Sequence, residues 1–384
     1  MNRKLRMGMI GGGTGALIAP VHRIAANAGG LIELVSGSFS NVRIKSKESG
    51  SALGLDPKRV YGIYRDMFRR ESKLPAAERI DFISIVTPSN MHYPVTMAAL
   101  DAGFHVICEA PMTTTVDEAQ NLARKMELND KIFCLSQHHY GYPMVLEARK
   151  MVQDGKLGKI RKVVVEYPQA WLSTRIEAKG QKQASWRTNP RSTAASCCMS
   201  DVASIAYDLA ATITGLQASE VSADTSTFVN GRMLDDDGSI LLRYEDGARG
   251  LIWATQVAIG EQQALKIRVY GENGSLRWKQ SEPHTLKFWS LDGNTEIKSS
   301  EPLDIKEEAA HADDIPPGHP DSSIEPLINI YKNFSETLIK IIDGEKVNPS
   351  NILFPGIPEG IQSAKFTEAA LANAASDDKW TTIS

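Results

Sequence analysis

The sequence has few of the residues that mark metal-binding, disulfide-rich or nucleic-acid-binding proteins. Only four cysteines occur in 384 residues: Cys197 and Cys198 are adjacent, and Cys108 and Cys134 lie far from them. This spacing fits neither a metal site nor a disulfide framework, so we expect reduced, small apolar cysteines and no metal. The formal net charge is only −3, which excludes a strongly basic surface for nucleic acid or anionic membranes.

Long apolar runs are also missing. None reaches the ~18 residues of a membrane span, and the first strand-like segment, at residues 5–10, leaves no room for a secretory signal peptide. The sequence therefore predicts a cytoplasmic protein with a small-molecule partner, without nucleic acid or membrane. Its 42% of apolar and 23% of charged residues are typical of globular proteins.

The N-terminal part alternates strand-like and helix-like segments. Apolar runs occur at residues 5–10, 31–36, 82–87, 104–108 and 132–136, with helical patterns between them, for example at 92–102 and 115–128. Such alternation predicts an α/β fold with a doubly wound parallel sheet, a Rossmann domain over residues 1–137. Ligands of this fold bind at the carboxyl ends of the strands.

From about Gly155 the pattern changes to long alternating strands. They are predicted at 159–169, 220–228, 238–244, 248–259, 265–270 and 274–278, with turn pairs such as Asp246-Gly247 and Asn273-Gly274. Helices are predicted at 201–214, 324–342 and 359–375, and a long loop at 299–323. We expect a second, α+β domain over residues 138–384 with a predominantly antiparallel open sheet in a meander. Its C-terminal helices could pack back on the first domain.

The first strand-to-helix turn matches the G-x-G-x-x-G/A pattern of dinucleotide sites. Gly11, Gly13 and Ala16 occupy the three small positions, with Thr14 inside the turn. A tight turn, close approach of a pyrophosphate to backbone N–H groups and close helix packing each need a residue with little or no side chain. The turn therefore predicts a bound NAD or NADP.

The second strand lacks the acidic residue that usually binds the ribose of NAD. Ser38, Ser40 and Arg43 stand near its end, and they could accept a 2′-phosphate, so both coenzymes stay open. Two further strand ends point to the same crevice. Their predicted cofactor contacts are Thr87, Pro88, Asn90, His92, Glu109 and Ala110.

Several segments together resemble the glucose-fructose oxidoreductase, inositol dehydrogenase and rhizopine-catabolism (Gfo/Idh/MocA) family. They are GMIGGGTGALIAPVHRIAA, TPSNMHYP, CEAPMTTTVDEA, HHYGYPMV, VVVEYPQAWLST, GQKQASWRT, RVYGENGSLRW and PPGHP. The resemblance implies an NAD(P)-dependent oxidoreductase acting on a sugar, glycoside or cyclitol. It also implies a second domain for substrate binding and oligomerisation, as a homodimer or homotetramer. Trp186 and Arg187 in GQKQASWRT are expected cofactor contacts and, with Trp171 and Lys182, candidate pocket residues.

The chain departs from the resemblance at the residues that move a proton. The family normally has a lysine in E-K-P and a histidine ending D-x-G-x-H, whereas this chain has Ala110 and Ile205, and only Asp201 matches. Alanine and isoleucine side chains carry no titratable or hydrogen-bonding atom. General acid–base help is typically worth ~10²–10⁴ in rate, so its loss would leave little turnover. Larger residues than the family's glycines also stand at Ser196, Cys197 and Ser200.

Other side chains are therefore candidates for the proton carrier. Asp201, Tyr142, His138 and Lys182 are the principal ones. His139, Tyr140, Tyr167, Tyr207 and His319 are further candidates. Each has a structural alternative, since histidines at strand ends are often hydrogen-bonded and buried tyrosines often only pack.

Three interpretations remain open at this point. The chain is an oxidoreductase with a relocated proton carrier, a non-catalytic cofactor- and sugar-binding pseudo-dehydrogenase or accessory subunit, or an enzyme of non-redox sugar chemistry. A laboratory Lys→Ala change would explain Ala110 but not Ile205. Cofactor binding and a sugar panel separate these alternatives.

Overall fold

The computed structural model describes residues 3–193, 195–262, 264–303 and 324–384. The chain divides into two compact units. The first unit contains the described residues of Met1–Thr113, Asp117–His138 and Asp304–Gly360, and the second those of Thr114–Val116, His139–Leu303 and Ile361–Ser384. His319 and most of the predicted loop at 299–323 lie outside the described residues.

A parallel sheet of five strands forms the centre of the first unit. The strands are β1 (Leu5–Gly11), β2 (Ile32–Ser38), β3 (Phe82–Val86), β4 (His105–Glu109) and β5 (Phe133–Ser136), in the spatial order β2-β1-β3-β4-β5. All five residues of β3 are buried, because helices cover both faces of a doubly wound sheet. The order reverses between β1 and β3, and this switch point is where such sheets bind dinucleotides. The predicted Rossmann fold is confirmed.

Helices follow the strands of the first unit. They are α1 (Ala19–Ala28), α2 (Arg43–Ala52), α3 (Tyr64–Glu71), α4 (His92–Asp101) and α5 (Val116–Glu127). The remaining helices, in chain order, are α6 (Pro143–Gln153), α7 (Lys182–Arg187), α8 (Ser204–Thr214), α9 (Ile324–Ile342) and α10 (Ile357–Ala374).

Helix α9 completes the core of the first unit, although it begins at Ile324 and the last strand of the sheet ends at Ser136. Its apolar residues recur at helical spacing, and Leu327, Phe334 and Leu338 are fully buried. The Phe334 ring lies 5.1 Å from that of Phe82 on β3, and Tyr331 contacts His22 on α1 edge to face. The first unit therefore needs the late helix to bury its sheet.

A mixed sheet of nine strands dominates the second unit. Its strands are β6 (Ile160–Pro168), β7 (Ala218–Ser226), β8 (Asp237–Tyr244), β9 (Arg249–Thr255), β10 (Lys266–Gly271), β11 (Gly274–Lys279), β12 (Thr285–Ser290), β13 (Thr295–Ser299) and β14 (Thr381–Thr382). The spatial order is β13-β12-β11-β10-β6-β9-β8-β7-β14. The predicted antiparallel character is confirmed, with β6 and β9 as the parallel pair.

The prediction of a simple meander was wrong in two respects. Strand β6 lies between β9 and β10, which interrupts the meander. Strands β12, β13 and β14 were not predicted at all. Alternation along a strand indicates which residues face the core, but it carries no information about which strand lies alongside.

One face of the nine-stranded sheet is buried by helices and aromatic pairs. The Tyr142 ring packs 5.1 Å from Trp278, and Tyr207 on α8 stacks 4.3 Å from Phe366 on α10. Along β8 burial alternates residue by residue, as expected for a sheet with one covered face. None of the helices in the described ranges has the length and apolar character to cross a membrane.

A buried carboxylate stabilises the end of the first unit near β2. Glu71 is fully buried and forms an ion pair with Arg59. Its Oε1 atom accepts hydrogen bonds of 3.1 Å from Ser36 and from Tyr61. Burial and the Glu71 charge raise the pKa of Tyr61 to about 12, so its hydroxyl stays a donor.

Glu71→Ala should lower the free energy of unfolding by about 3 kcal/mol or more, because the substitution leaves Arg59 without its buried partner. Urea denaturation measures the change. Asp66→Ala is the control, since the exposed Asp66–Arg69 pair should contribute about 1 kcal/mol or less. Equal losses in the two variants would contradict the role of Glu71.

Candidate active site

The glycine turn after β1 has room only for backbone. Gly11 and Gly12 have φ of +85° and +75°, a region that favours glycine. A Cβ atom on Gly11 would lie 2.7 Å from the Val86 carbonyl oxygen, and one on Gly13 would lie 2.8 Å from that of Phe39. The turn thus exposes main chain where a pyrophosphate must approach closely, and these residues fit a dinucleotide.

The turn is tied to its surroundings by backbone hydrogen bonds. Gly13 N donates to Phe39 O at 3.1 Å, and Ala16 N donates to Gly13 O at 2.9 Å. Thr14 N donates to Ser49 Oγ on α2 at 3.2 Å. Both ends of the turn are therefore held in place before any ligand binds.

Close helix packing falls on a different residue from the one that the motif predicted. Helix α1 begins at Ala19, three residues beyond Ala16. A Cβ atom on Gly12 would lie 2.6 Å from the Ala19 Cβ atom. The Gly12–Ala19 contact therefore brings the helix onto the turn, and Ala16 only closes the turn.

The expected ribose contacts lie at the end of β2. Ser38 is the last residue of the strand and is buried. Ser40 Oγ accepts a hydrogen bond from Val42 N at 3.1 Å. Arg43 begins α2 and is exposed, so its guanidinium is available to an anion.

His92 joins the ends of two neighbouring strands. One ring nitrogen, Nε2, lies 2.9 Å from Thr87 O, and the other, Nδ1, lies 2.7 Å from Pro111 O. A carbonyl oxygen only accepts hydrogen bonds, so a neutral imidazole can serve one of the two and a protonated ring serves both. Pro88 and Asn90 are exposed on the short turn before α4. His92 is therefore a brace between two strand ends.

Glu109 presents a carboxylate at the end of β4. Its Oε1 atom lies 2.6 Å from His22 Nε2, and the Glu109 side chain is 17% exposed while His22 is fully buried. Burial raises the pKa of Glu109, but the hydrogen bond and charge of His22, with the charge of His138, outweigh burial and lower the pKa to about 2. Glu109 is thus an ionised carboxylate at the strand end next to Ala110.

His22 was not among the residues predicted from the sequence. It lies on the first turn of α1, where it reads as an ordinary helix residue. No spacing rule links it to Glu109, 87 positions later. His138, which was predicted, begins the short helical turn after β5 and contributes its charge to Glu109.

In the second unit a polar and aromatic cluster surrounds Asp201. Arg187 Nε lies 3.3 Å from Asp201 Oδ2, and Gln256 Nε2 donates to the same oxygen at 3.0 Å. The Arg187 guanidinium carbon lies 4.2 Å from the centre of the Trp186 ring and 5.7 Å from that of Trp171. Arg187 and Asp201 are 21% and 29% exposed. The structure therefore brings three predicted residues, Asp201, Trp186 and Arg187, into one half-open cluster.

Asp201 lies in a π-helical turn, Met199–Ala203, where the sequence predicted the start of an α-helix. Asp235 holds the turn: its carboxylate accepts from Cys197 N at 2.9 Å and from Met199 N and Ser196 Oγ at 2.8 Å. Burial raises the pKa of Asp235, although these hydrogen bonds oppose the rise. Such turns are frequent at functional sites because they redirect a side chain.

Tyr142 is a buried core residue. It is 2% exposed, packs on Trp278, and its hydroxyl accepts from Gln280 Nε2 at 3.3 Å. This core position favours a packing role for Tyr142 over a role as proton carrier. Lys182 is exposed at the first position of α7.

The further candidates in the second unit are also buried. His139 Nε2 lies 2.9 Å from Asp208 Oδ2, and both side chains are almost fully buried. Burial raises the pKa of Tyr167 and raises that of Tyr207 to about 12. Tyr140 lies beside the His139 ring. Within the described ranges no three His, Cys, Asp or Glu side chains group in a way that could hold a metal ion.

The parallel sheet, the glycine turn at its switch point and the strand-end carboxylate define a dinucleotide-dependent oxidoreductase fold. Residues 5–138 match the oxidoreductase family with an NAD-binding Rossmann fold, and residues 145–277 match the GFO/IDH/MocA C-terminal domain. The chain belongs to the Gfo/Idh/MocA family, and its first unit is an NAD-binding Rossmann domain.

Relatives cover nearly the whole chain. An uncharacterised oxidoreductase of Bacillus subtilis, YfiI, is 30% identical over 99% of this chain and 97% of that protein. The crystal structure of an inositol dehydrogenase homologue from Azotobacter vinelandii, complexed with NAD+, is 30% identical, covers 100% of this chain and 98% of that one, and has a TM-score of 0.88. Levoglucosan dehydrogenase of Pseudarthrobacter phenanthrenivorans is 25% identical over 71% of this chain and 73% of that protein.

Gly13→Ala should raise the dissociation constant of NADH at least about tenfold, because the new methyl group displaces the turn from Phe39 and Ser49. Enhancement of NADH fluorescence on binding measures the constant. Gly29→Ala is the matched control: Gly29 ends α1 with a φ of −86°, and a Cβ atom there has open space. An unchanged constant for Gly13→Ala would refute the assignment of the turn.

Proposed function

We propose that the chain is an NAD(P)-dependent dehydrogenase that acts on a hydroxyl group, or the matching ketone, of a sugar, glycoside or cyclitol. The Asp201 cluster is the observation that supports this class of substrate. Carboxylate, guanidinium and amide groups bind sugar hydroxyls, and flat aromatic rings such as Trp186 stack on sugar faces. The levoglucosan dehydrogenase and the inositol dehydrogenase homologue, whose structure was also determined with myo-inositol, support a polyhydroxylated substrate.

The proton carrier of the proposed reaction is atypical. A dinucleotide held at the glycine turn would supply hydride-transfer chemistry. The chain has to handle the hydroxyl proton without a lysine at Ala110 or a histidine at Ile205. Ile205 packs against the apolar core of the second unit, so it contributes no polar group. His138 and the Glu109–His22 pair are titratable groups at the strand ends near Ala110, and they are our candidates. The ring nitrogens of His92, which also lies there, both face carbonyl oxygens.

A second candidate function is a pseudo-dehydrogenase or accessory subunit that binds cofactor and sugar without turnover. The combination of an intact glycine turn with the Ala110 methyl group favours it. Non-redox sugar chemistry is less well supported, because it needs a base of its own.

The proposal is tested first by the binding of NADH and NADPH, and then by a panel of polyols and sugars whose oxidation is read at the nicotinamide absorbance.

Arg43→Ala should weaken the binding of NADPH more than the binding of NADH if the ribose end of the site accepts a 2′-phosphate. We expect Ala110→Lys combined with Ile205→His to raise turnover about 10²-fold or more by restoring acid–base help. His138→Gln should lower the wild-type rate.

The outcomes separate the alternatives. Cofactor binding with turnover on the panel supports the dehydrogenase. Binding without turnover in the wild type, but with turnover in the double variant, supports the pseudo-dehydrogenase. If neither nucleotide binds, both proposals fail.

We also propose that the chain forms a homo-oligomer through the open face of the nine-stranded sheet. Leu241, Leu251 and Val164 are opposite one another on β8, β9 and β6, and Leu241 is 45% exposed. An apolar row on an uncovered sheet face supports association, because burying it removes apolar area from water.

Leu251→Glu should convert the oligomer to a smaller species in sedimentation velocity, because it places a charge in the apolar row. Ile297→Glu is the control, since Ile297 is 64% exposed on the terminal strand β13. A wild-type monomer, or an unchanged mass for Leu251→Glu, would overturn this surface.

A further inference from the structure

We propose that the Glu109–His22 pair selects the oxidation state of the bound coenzyme. In this proposal a neutral His22 leaves the Glu109 charge uncompensated and favours the cationic nicotinamide of the oxidised form. A protonated His22 cancels that charge and removes the preference. The inference rests on the proposed function, because it needs the coenzyme to bind at this sheet.

The pair is the outer end of a buried hydrogen-bond network that joins four helices and strands. Glu109 Oε1 lies 2.6 Å from His22 Nε2, and His22 Nδ1 lies 2.8 Å from the Tyr331 hydroxyl. The Tyr331 hydroxyl lies 3.0 Å from Ser84 Oγ. This hydrogen-bond network therefore runs from β4 through α1 and α9 to β3, and only its Glu109 end is partly exposed.

Both protonation states of His22 keep these contacts. When His22 is neutral, its Nε2–H donates to Glu109 and its Nδ1 accepts from Tyr331, whose oxygen accepts from Ser84. When His22 is protonated, its Nδ1–H donates to the Tyr331 oxygen, and the Tyr331 hydroxyl turns to donate to Ser84. Hydroxyl groups rotate to suit their partners, so His22 can gain or lose a proton without losing a hydrogen bond. Burial raises the pKa of Tyr331, so that its hydroxyl stays protonated throughout.

The position of Glu109 makes its charge relevant to the nicotinamide. A dinucleotide lies across the strand ends at the switch point between β1 and β3. Its pyrophosphate belongs at the glycine turn after β1 and its adenosine ribose at the end of β2. The nicotinamide half therefore falls on the side of β3, β4 and β5, where Glu109 ends β4.

Few other groups around Glu109 can change charge near neutral pH. Burial raises the pKa of Cys108 and of Cys134, so both remain thiols. Glu109 itself is a carboxylate: burial raises its pKa, but its hydrogen bond to His22 and the nearby histidine charges lower the pKa overall. His138, which also acts on Glu109, is the competing histidine, and it has to be tested separately.

Linkage gives the sign of the expected effect. The oxidised nicotinamide is a cation and the reduced one is neutral, so the pair with neutral His22, of net charge −1, binds the oxidised form more tightly. Loss of the His22 proton should therefore lower the dissociation constant of the oxidised coenzyme relative to that of the reduced one, and a higher pH favours that loss. Unit charges about 6 Å apart at an effective dielectric of about 20 support a change of roughly tenfold or more.

The test measures both dissociation constants between about pH 5.5 and 8.5, by NADH fluorescence and by calorimetry for NAD+, without substrate. NADPH and NADP+ replace them if they bind more tightly. In the wild type the ratio of the constants should change about tenfold, and in His22→Gln it should be independent of pH. A ratio that is flat in the wild type, or whose pH dependence disappears with His138→Gln but persists with His22→Gln, overturns the proposal.

Tyr331→Phe tests the hydrogen-bond network and removes only one hydroxyl group from the core. Without the hydroxyl, protonated His22 loses its acceptor, so the midpoint of the pH dependence should move down by about one unit. Ser335→Ala is the matched control, because Ser335 is a buried hydroxyl on the same helix without a hydrogen-bond partner. An unchanged midpoint in Tyr331→Phe would contradict the role of the hydrogen-bond network. Failure of both coenzymes to bind would instead overturn the proposed function.

Discussion

The close approach of α1 to the glycine turn is the constraint on which the rest of the site depends. Gly12 has no side chain, so Ala19 can lie where a Cβ atom would collide. The approach puts the first turn of α1 over the sheet and brings His22 against Glu109 at 2.6 Å. Helix α9 then adds Tyr331 behind His22. A cofactor turn and a charged strand end are thus parts of one packing arrangement.

The chain combines a glycine turn of dinucleotide type with two apolar side chains, Ala110 and Ile205, that cannot carry a proton. Gly11 and Gly13 leave room for close approach to the backbone, and Glu109 ends β4 with a carboxylate. Loss of Glu109 would destabilise the fold, because it would leave the buried His22 without its hydrogen-bond acceptor. The carboxylate is therefore preserved by packing as well as by any role in the reaction.

Much of the first unit could be predicted because its signals are local. Alternating strands and helices, the glycine spacing and the apolar period of residues 324–342 each express the geometry of a short segment. The partners of β6 and the π-helical turn at Asp201 could not be predicted in this way. The first depends on which strands lie side by side. The second depends on Asp235, whose carboxylate accepts hydrogen bonds from backbone 36 and 38 residues earlier in the chain.

The sequence alone determined that this protein has a glycine turn of dinucleotide type and that Ala110 and Ile205 have side chains without a titratable atom, because these facts belong to single residues and short spacings. Only the tertiary structure decided that Asp201 joins Arg187, that Tyr142 lies in the core, and that Glu109 is paired with a histidine from α1. Contacts of this kind join residues far apart in the chain. They form because burial and hydrogen bonding are satisfied by the whole fold and not by any segment of it.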